Sequence, residues 1–104
     1  MTTVKFFHKD GKLNGFEIKG HALFSDFGSD IVCSAISSAS IMAANTVTEV
    51  IGDEAQVKSD EGFLSLVIEN PSDKSVSVIE GFKIHMNQIS EQYPQNIRIL
   101  NGGN

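Results

Sequence analysis

From Ile31 to Ile51 the chain carries a single charged side chain, Glu49, and its apolar residues Val32, Ile36, Ala39, Met42, Ala43, Val47 and Val50 recur three or four positions apart. That period marks one face of an α-helix. The positions between are mostly Ala and Ser, so the helix has little charge to present to water and must be the central one. The pattern predicts a helix from Asp30 to Ile51. Asp30 is its expected N-cap, accepting from free N–H groups of the first turn, and Gly52 its C-terminal stop. A bilayer needs about 20 predominantly apolar residues. This stretch is punctuated by Ser34, Ser37, Ser38, Ser40, Asn45, Thr46, Thr48 and Glu49, so a buried helix and no membrane partner are expected.

The flanking segments supply a sheet for that helix to cover. Val4, Phe6 and His8 alternate with Lys5 and Phe7, Asp10-Gly11 is a tight-turn dipeptide, and Phe16 and Ile18 alternate with Glu17 and Lys19, which reads as a hairpin. A second hairpin turns at Asp60, Glu61 and Gly62, with Phe63 to Ile68 apolar enough for an interior strand. Val76, Ile79, Phe82, Met86, Ile89 and Tyr93 keep helical spacing, predicting a second helix from Lys74 to Tyr93 that Pro94 closes. Residues 96–100 make a last short strand, and 101–104 are expected to fray. The order ββαββαβ lacks the regular alternation of a doubly wound sheet. The expected fold class is α+β: a mixed, largely antiparallel sheet of about five strands, two hairpins plus a C-terminal strand, packed with two helices. With 104 residues, 40% of them hydrophobic, the chain suits one domain spanning residues 1–104.

Charge and cysteine usage narrow the function classes. Eight Lys and Arg against 13 Asp and Glu leave a net charge of -5, which argues against a grip on nucleic acid phosphates and favours a basic protein or peptide as partner. One cysteine cannot form an internal disulfide, and the N-terminal residues do not read as a signal peptide, so a cytoplasmic location is expected. There is no P-loop and no dinucleotide fingerprint, and three scattered histidines with one cysteine make no metal pattern. No cofactor and no metal are expected. His8, beside a hairpin turn, and His85, on the second helix, read as surface or packing residues.

Between the first hairpin and the central helix lies a loop rich in Gly, Ser and Asp, with His21 at its start and Cys33 shortly behind it. In a first helical turn, free N–H groups and the helix dipole favour a thiolate, and the same donors suit a developing oxyanion. His21 is the candidate base, able to take the thiol proton and return it to a leaving amine. The same position also suits a thiol that only fills volume between Ile31 and Val32. Asp26 and Asp30 are available to orient His21, though capping and solvated-loop roles explain them more simply. Ser37 stands one helical turn after Cys33, on the same face. Gly20 and Gly28 are read as supplying glycine-only backbone conformations.

The sequence "GHA" at residues 20–22, then "LFSDFG" to Gly28, then "DIVCSAIS" from Asp30 to Ser37, with His21 twelve positions before Cys33, resembles the signature of the bacterial ribosomal-processing cysteine protease family, Prp. The resemblance runs nearly end to end, from the opening Val-Lys strand to the closing "QNIRIL". It implies a small cytoplasmic α+β homodimer that removes a short N-terminal extension from a large-subunit ribosomal protein. By position in the motif, Cys33 is the implied nucleophile and His21 the general base. The "GHA" loop, with Gly20 and Ala22, is the implied mobile cover, and Gly28, Asp30 and Ser37 are supporting or substrate-binding residues. One departure is Ser34, where the family pattern has Ala after the cysteine. Two other readings compete: a noncatalytic ribosome-associated module that binds a basic protein tail, and, ranked last, a thiol-dependent transferase acting on a small molecule.

Overall fold

Asp10 and Gly11 both adopt left-handed backbone, at φ 53° and 78°, and so close β1 (Thr2–Lys9) onto β2 (Lys12–Lys19) through a two-residue turn whose twist matches the strands. The computed structural model describes residues 1–20 and 27–103. After β2 come α1 (Phe27–Asn45), with a π-helical extension over Thr46–Ile51, then β3 (Ala55–Asp60), β4 (Phe63–Ile68), α2 (Asp73–Gln92) and β5 (Ile97–Gly103). The strands form one sheet in the order β3-β4-β2-β1-β5, antiparallel except for the β1–β5 pair. The ββαββαβ order and the mixed five-stranded sheet agree with the sequence-based expectation.

Register puts the large apolar side chains on one face. Val4 lies opposite Ile18 and Ile99, Ile18 opposite Leu64, and Phe16 opposite both Phe6 and Leu66. These residues join Val32, Ile36, Ala43 and Val47 of the first helix and Ile79, Phe82, Met86 and Ile89 of α2 in one hydrophobic cluster, a two-layer arrangement. Phe82 is the pin: its ring lies 4.5 Å from that of Phe16 and 5.8 Å from that of Phe6.

Four expectations change. The helix starts at Phe27 rather than Asp30, so Asp30 lies within its first turn and is not its N-cap. Gly28 and Ser29 are weak helix formers ahead of a good capping type, which draws the sequence-based boundary too late. Met42 and Val50 are exposed, at 71% and 79%, rather than buried. The core stripe runs through Ser40 instead, 1% exposed, whose hydroxyl donates to the Ser37 carbonyl at 2.9 Å and so enters the core satisfied. Beyond Asn45 the Thr46 and Thr48 hydroxyls donate back to the Met42 and Ala44 carbonyls, the turn widens, and the stripe rotates so that Val47 stays inside while Val50 turns out. Gly52, at φ 85°, ends the segment as expected, its N–H donating to Val47. Finally, residues 101–103 do not fray. Asn101, Gly102 and Gly103 continue the parallel ladder opposite Phe6, Phe7 and His8.

Ile31–Ile51 is long and apolar enough to cross a membrane by length and composition. In the fold, its Val32, Ile36, Ala43 and Val47 are core residues. Between this segment and α2, Asp53 accepts from the Ser72 N–H and hydroxyl and from the Ser75 hydroxyl, at 2.9, 2.8 and 2.6 Å. Ser72 in turn caps α2, accepting from the Ser75 N–H. The Ser75 hydroxyl, then the Ser72 N–H and hydroxyl, hold the Asp53 carboxyl below its ordinary 3.8.

Candidate active site

The two hairpins and α1 converge at one end of the sheet, where β1 begins, β2 ends and the β3–β4 turn lies. A cavity of about 200 Å³ opens there. From α1 it is lined by Cys33, Ile36, Ser37, Ser40 and Ile41; from β1 and β2 by Thr2 and Ile18; and from the second hairpin by Ser59, Asp60, Gly62, Phe63 and Leu64. The walls are mixed, with apolar Ile and Leu side chains interleaved with serine hydroxyls and one carboxylate. Asp60 is held by its own turn, its Oδ1 accepting from the Glu61 N–H at 2.7 Å. This composition suits an extended peptide, whose side chains need apolar contact and whose backbone needs polar partners.

Cys33 is a free thiol, 7% exposed, and its Sγ lies 3.6 Å from the hydroxyl of Thr2, itself 3% exposed. It is the seventh residue of a helix starting at Phe27, in the second turn rather than the first. Its own N–H therefore belongs to the intrahelical ladder, and the unpaired donors of the helix start lie about 4.5 to 9 Å back along the axis. The expectation that helix-start N–H groups both favour the thiolate and bind an oxyanion at Cys33 is corrected by that offset.

The other expected site residues divide into three groups. Ser37 stands with Cys33 on the cavity wall, as its spacing implied. Gly20 ends the first hairpin at φ +91°, with a side-chain carbon there falling 2.8 Å from the Met1 carbonyl, so this position needs glycine on two counts. Gly28 and Asp30 lie in the first turn of α1, and their side chains are outside the described residues. His21, Ala22 and Asp26 also lie outside the described residues. His8 is half-buried on β1, its Nδ1 3.4 Å from the Gly102 carbonyl, and His85 is exposed on α2. Among the described residues no three His, Cys, Asp or Glu side chains gather into a metal-binding group.

Sequence reasoning missed Thr2 and the whole contribution of the second hairpin. The signal for Thr2 was the alternation through Val4 and Phe6, which extends back to it on the core face. The hairpin could not be placed because its reach to Cys33 depends on β4 pairing with β2, a register that alternation alone leaves open. A second, mostly apolar hollow, of about 440 Å³ between α1 and α2, is lined by Ala39, Met42, Ala43, Val78, Gly81 and Phe82, with Thr46, Ser77 and His85 at its border.

Comparisons with known proteins agree with the arrangement. Residues 1–98 match the family model described as cysteine protease Prp. The ribosomal processing cysteine protease Prp of Bacillus subtilis strain 168 is 29% identical over 104 residues, covering 93% of this chain and 92% of its own. That of Staphylococcus aureus strain Mu50 is 23% identical over 93 residues, covering 86% and 88%. Among solved structures, SMU.848 from Streptococcus mutans superposes with a TM-score of 0.89 at 26% identity, over 100% of this chain and 99% of that one. The S. aureus protease Prp in complex with a substrate peptide shares the fold, with a TM-score of 0.89 at 23% identity over 98% and 100%. A match over nearly the whole chain, together with a lone cysteine on the wall of a peptide-sized cleft, makes this protein a cysteine protease belonging to the Prp family.

Proposed function

We propose that this protease removes the N-terminal extension of a large-subunit ribosomal protein, with Cys33 as nucleophile and His21 as general base. The observation that carries the reading is the position of the chain's sole cysteine on the wall of the one-end cavity, where an extended peptide has room to lie. Gly20, the residue before His21, follows β2 and lies against Met1, at the end of the sheet where Thr2 and Cys33 meet, and this supports a histidine supplied from the same end.

The chemistry is acyl transfer. His21 takes the proton of the Cys33 thiol, and the thiolate attacks the scissile carbonyl carbon to give an oxyanion that backbone N–H donors stabilise. Collapse breaks the C–N bond as the imidazolium returns its proton to the leaving amine, and water then hydrolyses the thioester to a carboxylate and regenerates the thiol. The net charge of -5 supports a basic ribosomal substrate.

The protein is read as a cytoplasmic homodimer. Support for self-association is the apolar hollow between α1 and α2, bordered by exposed Met42. Incubating the purified protein with the extended precursor tests the catalytic reading: His21→Gln is expected to lower turnover by about 10²- to 10⁴-fold while leaving the precursor bound. A His21→Gln variant that cleaves at the wild-type rate contradicts the assignment.

A further inference from the structure

Cys33 lies in the second turn of α1, its own N–H inside the helical ladder, and a nucleophilic thiolate needs some donor to hold its charge. The hydroxyl of Thr2 is the polar side-chain group within hydrogen-bonding distance of Sγ among the described residues, at 3.6 Å. Resting on the reading of Cys33 as nucleophile, we infer that Thr2 is a positioning residue for the protease reaction, its hydroxyl donating to the Cys33 thiolate and holding Sγ at the cavity.

Three observations carry this. Thr2 is 3% exposed, and a buried hydroxyl is costly unless bonded. Its described side-chain hydrogen-bond partner is Cys33. Its backbone is fixed at the start of β1 by an N–H donated to the Asn96 carbonyl at 2.9 Å and by pairing with Ile97 of β5, so the hydroxyl is presented from a rigid strand. With a neutral thiol the contact is weak, since S–H is a poor donor and sulfur a poor acceptor. Once the thiol is ionised, sulfur is purely an acceptor and the bond becomes charge-assisted. The hydroxyl therefore favours the thiolate over the thiol, a difference that a merely volume-filling Thr2 does not produce.

The groups able to influence Cys33 ionisation are few. Asp60 of β3 lines the same cavity. Lys5 of β1 and Glu17 of β2 pair on the opposite face of the sheet. His21 is the proposed base. Among the described residues, no titratable side chain of α1 other than Cys33 lines the cavity. All of these groups are common to wild type and a Thr2 variant, so the difference between two pH profiles isolates the hydroxyl.

Cys33 is the chain's sole cysteine, so its alkylation by iodoacetamide, followed by intact mass across pH, reports this thiol alone. Thr2→Val keeps the β-branched shape and removes the donor; Thr2→Ser keeps the donor. The expected result is an alkylation profile displaced to higher pH in Thr2→Val, with rates on its acid side about 3- to 10-fold below wild type and the plateau at high pH unchanged. Thr2→Ser stays close to wild type. In precursor cleavage, kcat of Thr2→Val falls by the same factor on the acid side while KM holds. Superimposable profiles for wild type and Thr2→Val overturn the inference, even with wild-type cleavage intact. If Thr2→Val melts below the assay temperature, Thr2→Ser against Thr2→Ala makes the same comparison. Should Cys33→Ala still cleave precursor, the nucleophile assignment fails instead, whatever the alkylation profiles show.

Discussion

At residue scale, the site depends on positions where no other side chain meets the same demands. Gly20 combines φ +91° with a close approach to the Met1 carbonyl. An L-residue in left-handed backbone costs about 1 to 2 kcal/mol before any clash is counted. Gly20→Ala is therefore expected to lower stability by at least that amount in urea titration and to reduce turnover, since it disturbs the chain between β2 and His21, the next residue in sequence. A variant as stable and as active as wild type contradicts the role. That Cys33 and Ser37 share one wall was legible because spacing along a helix is fixed. Thr2 was not, because nothing in a lone threonine announces that a strand will bring its hydroxyl to a cysteine 31 positions away.

At the scale of elements, the two helices are tied to the sheet and to each other by different means. Phe82 of α2 joins both strands of the first hairpin through Phe6 and Phe16. Phe82→Ala leaves a cavity between helix and sheet and should cost about 3 to 5 kcal/mol, read as a lowered denaturation midpoint. A loss under about 1 kcal/mol means the helix closes over the gap and the pin is not needed. Asp53 links the end of the first helical segment to the cap of α2. Because its folded carboxyl titrates below the ordinary 3.8, the stabilisation is complete above that value and is lost as pH falls through the lower, folded one. Asp53→Asn should thus melt below wild type at about pH 7, with the gap narrowing towards about pH 3. A gap that stays constant across this range excludes the carboxylate as its source. Element order and the hairpin turns were readable from alternation and from Asp10-Gly11. The helix start was not, since Gly28 and Ser29 argue locally for a loop, and the π-helical widening arises from hydroxyls competing for carbonyls, which periodicity does not record.

At the scale of the whole molecule, the sheet order decides what the site can be. Because β4 pairs with β2, the second hairpin's turn is carried to the end of the sheet where α1 places Cys33, and the cleft is built from parts far apart in sequence. The central apolar helix was readable from its lack of charge, and family membership from the motif. The cleft walls were not, since they depend on which strands become neighbours. Sole possession of a thiol by such a cleft is the centre of the account, and intact mass of the extended ribosomal-protein precursor after incubation with wild type and with Cys33→Ala tests it most directly. The account predicts one discrete N-terminal peptide released by wild type and an intact, bound precursor with Cys33→Ala. The same peptide released by both proteins, or a precursor that wild type binds and leaves whole, contradicts it.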